Sequence, residues 1–270
     1  MTIRGGCPGS SSSTCNERCS RVPCAFVKNL WTCVLASARL AHSSSIRRRT
    51  HWSEGDIAMY LFTRTGTLGG DPNGAMAWAI KVGGAASAAS GRQINTWVAQ
   101  FGFPVGTVVW SAWLDGHADL SSAFGPLATH ADYQAAANEG VAFQTTPHES
   151  ALRQVVSGGP VEGAEGPGLG SVATVTTAVA LGGKMAAVIA WGVEVAAIAS
   201  SVSGLPVSFL VDSYGTFGQV TWIGGAVDMA AADAANDAMN ASADYMKAVD
   251  GGTDLFVPAS GHRALYTRIG

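Results

Sequence analysis

The chain has 270 residues, 47% hydrophobic and only 13% charged, enough for two domains of ordinary size or one large core. A formal net charge of −3, with no like-charge run beyond Arg47-Arg48-Arg49, argues against the basic face that a nucleic-acid binder needs. The five cysteines all fall between Cys7 and Cys33, in spacings that match no zinc pattern, so the rest of the chain owes nothing to disulfides and suits a reducing compartment.

Residues 1–58 read unlike the rest of the chain. They hold serine runs at Ser10–Ser13 and Ser43–Ser45 and no sustained periodicity, as expected of a disordered extension. Alternatively they are a leader ahead of a start at Met59, since Ser53–Ala58 is compatible with a purine-rich ribosome-binding stretch in the message. Leu30–Ala38 is mildly apolar and ends Ala36-Ser37-Ala38, like a signal-peptide cleavage site, which would mean secretion. Thr32 and Cys33 interrupt that stretch and its preceding region is long, so a cytoplasmic protein is the expectation.

From Met59 the elements are taken in order. Tyr60–Thr65 is a β-prone run closed by Gly66 and the turn signal Gly69-Gly70-Asp71-Pro72. Residues 73–90 have helical spacing and stop at Gly91. Ile94–Phe101 and Thr107–Leu114 predict two strands around the turn Gly102-Phe103-Pro104, Ala118–Asn138 a helical stretch broken near Gly125-Pro126, and Val141–Thr145 a last strand. A linker comes next at 158–170, rich in Gly and Pro. The order then recurs: strand Val172–Val179, helix Lys184–Ser203 ending at Gly204, strands Val207–Tyr214 and Gln219–Ala226, helical Met229–Val249, strand Thr253–Val257. Met185–Val202 is about the length of a membrane span, but Glu194 interrupts it, and Lys81 stands at the matching place, so a soluble helix is expected.

The recurrence is also literal. Ala77-Trp78 returns as Ala190-Trp191, Trp110 as Trp222, Ala131-Asp132-Tyr133 as Ala243-Asp244-Tyr245, and Ala151-Leu152 as Ala264-Leu265, always 112 or 113 positions on. That period is too long for a solenoid. It predicts a duplicated β-α-β-β-α-β unit, an α+β ferredoxin-like fold, spanning 59–157 and 171–270. A sheet with both helices on one face must bury the other face against something. In element order and duplication the chain resembles the dimeric α/β-barrel superfamily, whose ferredoxin-like sheets pair around a central cavity, here with both halves in one polypeptide. The resemblance covers Met59–Gly270. Members of that superfamily include cofactor-independent monooxygenases, haem-binding or haem-degrading enzymes, lactone isomerases and stress-related proteins. No catalytic motif of any one of them is matched, so no residue role is carried over. The resemblance implies a small-molecule ligand, no membrane, and a monomeric pseudo-dimer or a homodimer.

Strand alternation proposes the lining. Ile94 and Val98, matched by Val207 and Val211, point towards the helices. Asn95, Trp97, Ala99 and Phe101, matched by Ser208, Leu210, Asp212 and Tyr214, point the other way, and their mix of aromatic and polar groups suits either a ligand cavity or an interface between sheets. Asp212 is the candidate general base, being mid-strand where Asp is disfavoured; the competing expectation is a solvated residue near a strand end. Arg64, aligned with Thr177, is a candidate for an anionic group, or else a surface arginine. Trp110 and Trp222 complete the candidate ligand-binding set with Arg64, Asn95, Trp97, Phe101 and Tyr214. No cofactor is predicted. Of His117, His130, His148 and His262, the tail residues His148 and His262 are the candidates for a haem ligand or proton shuttle, with a surface role as the alternative. The recurring Asp132-Tyr133 and Asp244-Tyr245 read as helix packing. Gly166–Gly170 precedes a strand instead of following one, so it is no nucleotide loop. No motif indicates a hydrolase or a metal site.

Overall fold

The structure, a computed structural model, describes residues 59–160 and 166–270. The expectations for an extension, leader or signal segment in 1–58 lie outside the described residues. In chain order the elements are β1 (Tyr60–Thr67), α1 (Pro72–Ser90), β2 (Asn95–Phe101), β3 (Thr107–Leu114), α2 (His117–Phe124), α3 (Ala131–Glu139) and β4 (Glu149–Ser157), then β5 (Val172–Val179), α4 (Met185–Ser203), β6 (Val207–Tyr214), β7 (Gln219–Ala226), α5 (Met229–Ala241), α6 (Ala243–Asp250) and β8 (His262–Arg268). Helix ends follow local chemistry. The Asp71 side chain accepts from Gly74 N at 2.8 Å and Pro72 fills the first turn of α1. At the other end Gly91 takes φ 66°, and Gly204 takes φ 70° after α4, so that each amide returns to a carbonyl of the last turn.

The eight strands close into a single antiparallel barrel in the order β1-β3-β2-β8-β5-β7-β6-β4. Closure leaves no sheet edge to pair with another chain. The first four strands join the last four at two seams, β4 with β6 and β2 with β8.

Two expected strands are corrected. Residues 140–142 and 253–255 form short 3-10 turns, and only single bridges, Leu68 to Gln144 and Ala180 to Phe256, remain of pairing nearby. The real closing strands are β4 and β8, a few residues later. From these runs Phe143 and Phe256 instead pack beside the tryptophans under the helices: Phe143 lies 6.1 Å from Trp78 and Phe256 5.3 Å from Trp191.

The helices sit outside the barrel, seated by paired tryptophans. Trp78 Nε1 donates to Ala136 O at 2.7 Å, and Trp191 Nε1 donates to Ala248 O at 2.7 Å. Trp110 Nε1 donates to Ala79 O at 3.0 Å, and Trp222 Nε1 to Gly192 O at 3.0 Å. The rings meet edge to face, Trp78 with Trp110 at 5.8 Å and Trp191 with Trp222 at 5.5 Å. Helix α4 is long and apolar enough to cross a membrane, with a mean hydropathy of 1.8. Here it lies on the barrel through Val188, Gly192, Val195, Ala196 and Ala199, while Glu194 faces outward.

Candidate functional site in the barrel interior

Because side chains alternate along each strand, one face of every strand points into the barrel. On one side of the interior, Trp97, Ala99, Val109 and Val175 pack against Ala173, Ala264 and Tyr266. On the other, Leu61, Val155 and Leu210 pack with Met59, Trp113 and Ile223.

The two seams place different chemistry at corresponding pairing positions. At the β2–β8 seam Ala99 is opposite Tyr266. At the β4–β6 seam Asp212 is opposite Arg153. Arg153 Nε stands 2.9 Å from Asp212 Oδ1, with the Asp212 side chain 1% exposed and that of Arg153 15%. These two atoms are poorly aligned for a hydrogen bond, so the contact is chiefly coulombic. Better-directed bonds hold the pair from outside: Arg153 Nη1 donates to Thr63 Oγ1 at 2.8 Å, and Gln219 Nε2 donates to Asp212 Oδ2 at 3.1 Å.

Burial pushes the Asp212 carboxyl above its usual range, and Arg153 and Gln219 pull it back only in part. A short ion pair ordinarily lowers a carboxylate; here desolvation wins because the group is almost fully enclosed. The Tyr266 hydroxyl is pushed up to about 12 by burial, with Arg153 opposing. Thr221 Oγ1, also buried, has no hydrogen-bond partner among the described residues. A carboxylate, two arginines (Arg153 and, opposite Trp97, Arg268) and an unpartnered hydroxyl thus face the barrel interior together with the Trp97 and Tyr266 rings.

The structure brings three of the proposed residues to this interior. Asp212 is one, buried and not solvated. Trp97 is another, its Nε1 donating to Ser111 Oγ at 2.9 Å. Asn95, 5% exposed, accepts from Gln93 Nε2 at 3.1 Å. The others lie elsewhere. Trp110 and Trp222 are on the helix side, opposite the outward-facing Thr96 and Phe209, where they bond to helix carbonyls. Arg64 is also on the outer face, donating through Nε to Ser150 Oγ at 3.2 Å and lying over the Phe62 ring. Its register partner Trp110 corresponds to the Trp222 that faces Thr176, so Thr176 and not Thr177 holds the matching position. Phe101 and Tyr214 sit at exposed strand ends, 70% and 64% accessible, and Tyr214 meets the His117 ring at 5.7 Å.

Sequence reasoning missed Arg153, Thr63, Gln219 and Tyr266. A signal was present: the match of Ala151-Leu152 to Ala264-Leu265 is followed at once by Arg153 against Tyr266, a charged residue and an aromatic at one position.

The two candidate histidines, His148 and His262, are both engaged within the chain. The His148 ring packs against Gly66 and lies 5.4 Å from Trp110, and its buried Nε2 faces neighbouring chain instead of open space. Burial, and secondarily Arg64, lowers its pKa. His262 Nε2 is occupied by the carbonyl of Gly102. His130 caps α3 by accepting from Tyr133 N, as Ser242 caps α6 by accepting from Tyr245 N, which places both recurring Asp-Tyr pairs in helix first turns. Among the described residues no three His, Cys, Asp or Glu side chains are grouped to hold a metal ion.

No protein-family model and no curated protein matches the sequence. Solved structures do match in shape. A "putative monooxygenase" of Fusobacterium nucleatum is 8% identical with a TM-score of 0.61, covering 79% of this chain and 94% of that one. Another so described, from Lactobacillus acidophilus, is 10% identical with a TM-score of 0.54, covering 78% and 94%. An anthrone oxidase-like protein is 12% identical with a TM-score of 0.55, covering 80% and 93%. The chain shares the fold of these structures, a barrel with its helices outside, as its resemblance to the dimeric α/β-barrel superfamily implies.

Proposed function

We propose that this is a soluble, cytoplasmic α/β-barrel protein, built from two fused ferredoxin-like units, that binds one small apolar or aromatic molecule inside the barrel. The observation that carries this is the Arg153–Asp212 pair, enclosed at one seam and facing the aromatic wall of Trp97 and Tyr266. A protein using its interior only as packing gains more from apolar residues at such a place. The neighbours described as monooxygenases and anthrone oxidase-like support an oxidative reading, which we take to run without a cofactor. In that reaction an activated methylene would lose a proton to Asp212, and dioxygen would be the oxidant. One dioxygen converts the methylene to a ketone carbonyl: one oxygen atom stays on the carbon, and the other leaves as water with the two methylene hydrogens. Trp97 and Tyr266 would orient the ring, and Arg153 would stabilise the carbanion. The site needs no second chain, which suits a monomer, although a homodimer is compatible with the outer faces.

The test is a thermal-shift series with naphthalene- and anthracene-type ligands. A concentration-dependent rise in Tm supports an open interior, because a ligand that binds only the folded state stabilises it by mass action. No rise with any of them favours the competing reading, a non-catalytic protein whose barrel is packed dry around Leu61, Val155 and Leu210.

A further inference from the structure

The two ends of the barrel interior are filled differently. Where β1 begins and β3 ends, large side chains meet: Leu61, Val155 and Leu210 pack with Met59, Trp113 and Ile223. Towards the β2–β3 and β6–β7 hairpins, inward positions carry small side chains, among them Thr65, Ala99, Ala151, Thr177 and Ala264. All of these but Ala264 are partly exposed although strand parity turns them inward, so space within reach of solvent lies over them. One ring stands in that space. Phe103, in the turn between β2 and β3, meets the His262 ring at 4.8 Å and the Tyr266 ring at 5.9 Å. His262, Ala264 and Tyr266 alternate onto the inner face of β8. A ring that touches the first and the third therefore lies across Ala264, in the mouth of the barrel. Its other side is open to solvent, the residue being 41% exposed.

The turn that carries this ring is pinned at both ends. Gly102 and Gly106 have φ of 90° and 86°, and a Cβ on either would run into neighbouring chain, at Arg263 and Ala264 or at the Leu68 carbonyl. Leu68 N donates to Gly106 O at 2.9 Å. His262 Nε2 is the donor to the Gly102 carbonyl, since a carbonyl only accepts. One histidine thus fastens the turn and also seats the ring. Between the pins, Phe103 is held by ring contacts, and two of these keep a ring down on the order of ten to one, firmly enough to cover the mouth and weakly enough to lift. The matching hairpin is built otherwise: Thr216 stands 113 positions on, Phe217 is 98% exposed, and a Cβ on Gly215 would meet Asp212 Oδ2. The mouth therefore has an aromatic cover on its Tyr266 side and bare backbone on its Asp212 side.

Resting on the ligand-binding reading above, we propose that molecules enter the interior at the hairpin end and that Phe103 is the gate. Its ring lifts off Ala264 to admit a ligand and returns to close behind it, while His262 holds the turn in place. The class admitted is a planar aromatic molecule, because it can take the place of the Phe103 ring against Tyr266 as it passes.

The experiment is stopped-flow fluorescence on the purified full chain with prodan, an uncharged naphthalene whose emission moves to the blue when it leaves water. In Phe103→Ala, association and dissociation should both quicken about tenfold while Kd changes less than about threefold, since a closed gate slows entry and exit alike. Loss of an ordinary contact acts differently: it speeds dissociation and leaves association nearly as it was. His262→Ala, which releases the Gly102 carbonyl, should quicken both rates in the same way, and His262→Gln, which keeps an N–H donor there, should restore them. Phe217→Ala, on the other hairpin, should change neither rate. Faster dissociation alone in Phe103→Ala would make the ring a wall contact, and unchanged rates would put the entrance elsewhere. Either result overturns the proposal and leaves the ligand-binding reading standing. If prodan binds neither wild type nor Phe103→Ala, both fall. Should Phe103→Ala not fold, Phe103→Trp decides: a larger ring in the same place should slow both rates, and unaltered rates overturn the proposal.

Discussion

Replacing Arg153 by Met removes the one cation beside a carboxylate whose side chain is 1% exposed. Loss of one partner of a buried pair typically costs about 3–5 kcal/mol, because the other charge stays behind unpaired. For a folded region of this size each kcal/mol is about 2–4 °C in Tm, so a fall of about 6–20 °C is expected for Arg153→Met near neutral pH. Replacing both residues together, Arg153→Met with Asp212→Leu, should return most of that loss, since an apolar pair of similar volume needs no desolvation. The loss in Arg153→Met should shrink in acid, where Asp212 escapes its penalty by binding a proton. Wild type carries a milder form of the same dependence. Burial raises the Asp212 pKa in the folded state, so the folded protein holds a proton that the unfolded chain has released. Asp212's contribution is therefore fully present below its ordinary value of 3.8 and is lost as pH rises through its higher folded-state value. Thermal and urea unfolding of the two single variants and the double, near neutral pH and in mild acid, measure all of this. Two outcomes would refute the reasoning: single-variant losses that simply add in the double, or a loss in Arg153→Met that does not change with pH.

Other contacts give independent tests. A Cβ on Gly140 or Gly252 would run into the ring of Trp78 or Trp191 respectively. Gly140→Ala and Gly252→Ala should each destabilise by about 1–3 kcal/mol in denaturant unfolding, as overpacking does. Gly192→Ala meets the Phe209 ring in the same way; combining it with Phe209→Leu should cost less than the sum of the two singles in a double-mutant cycle. Trp191→Phe removes the donor to Ala248 O and should cost about 1–3 kcal/mol for that carbonyl alone. His148 has a pKa lowered by burial, so its contribution is fully present above 6.5 and is lost as pH falls through its lower folded-state value. His148→Phe should flatten the acid limb of the stability–pH curve, and an unchanged limb would show that other groups control it.

Much of this architecture was legible because local signals were strong. Thr107–Leu114, Val172–Val179, Val207–Tyr214 and Gln219–Ala226 coincide with their strands, and the glycines at 91 and 204 end their helices in the left-handed conformation. The closing strands were misplaced because Val141–Thr145 and Thr253–Val257 are as β-prone as β4 and β8. What distinguishes them is tertiary: β4 has β1 and β6 on either side, while Phe143 and Phe256 have a tryptophan to cover. Alternation along β2 and β6 placed Trp97 and Asp212 inside. For Trp110, Trp222 and Arg64, composition outweighed register, and strand parity puts all three on the helix side. Arg153 was hidden for a different reason: an arginine between Leu152 and Gln154 looks like an ordinary surface residue until the seam with β6 is known.

The seams indicate how one space can serve two purposes. At corresponding positions the tryptophans, their carbonyl acceptors and the helix-ending glycines agree closely, and all of these hold helices to the outside of the barrel. Inside, agreement fails residue by residue: Arg153 stands for Tyr266, Asp212 for Ala99, Thr63 for Val175, Thr221 for Val109, Leu210 for Trp97. Four of those five differences put the more polar side chain on the β4–β6 side, whereas Arg268 for Val155 and Ser111 for Ile223 put it on the β2–β8 side. What the β4–β6 side has alone is a carboxylate paired with an arginine. Such an unequal lining gives an enclosed molecule a single favourable orientation. A symmetric lining would offer two equivalent orientations and no fixed place for a base. On this view the outer contacts keep the barrel closed while the interior is free to diverge. Exchanging Asp212→Ala with Ala99→Asp should then keep the fold but leave Arg153 without its carboxylate, lowering the Tm about as much as Arg153→Met does; an unchanged Tm would mean that the position of the carboxylate does not matter.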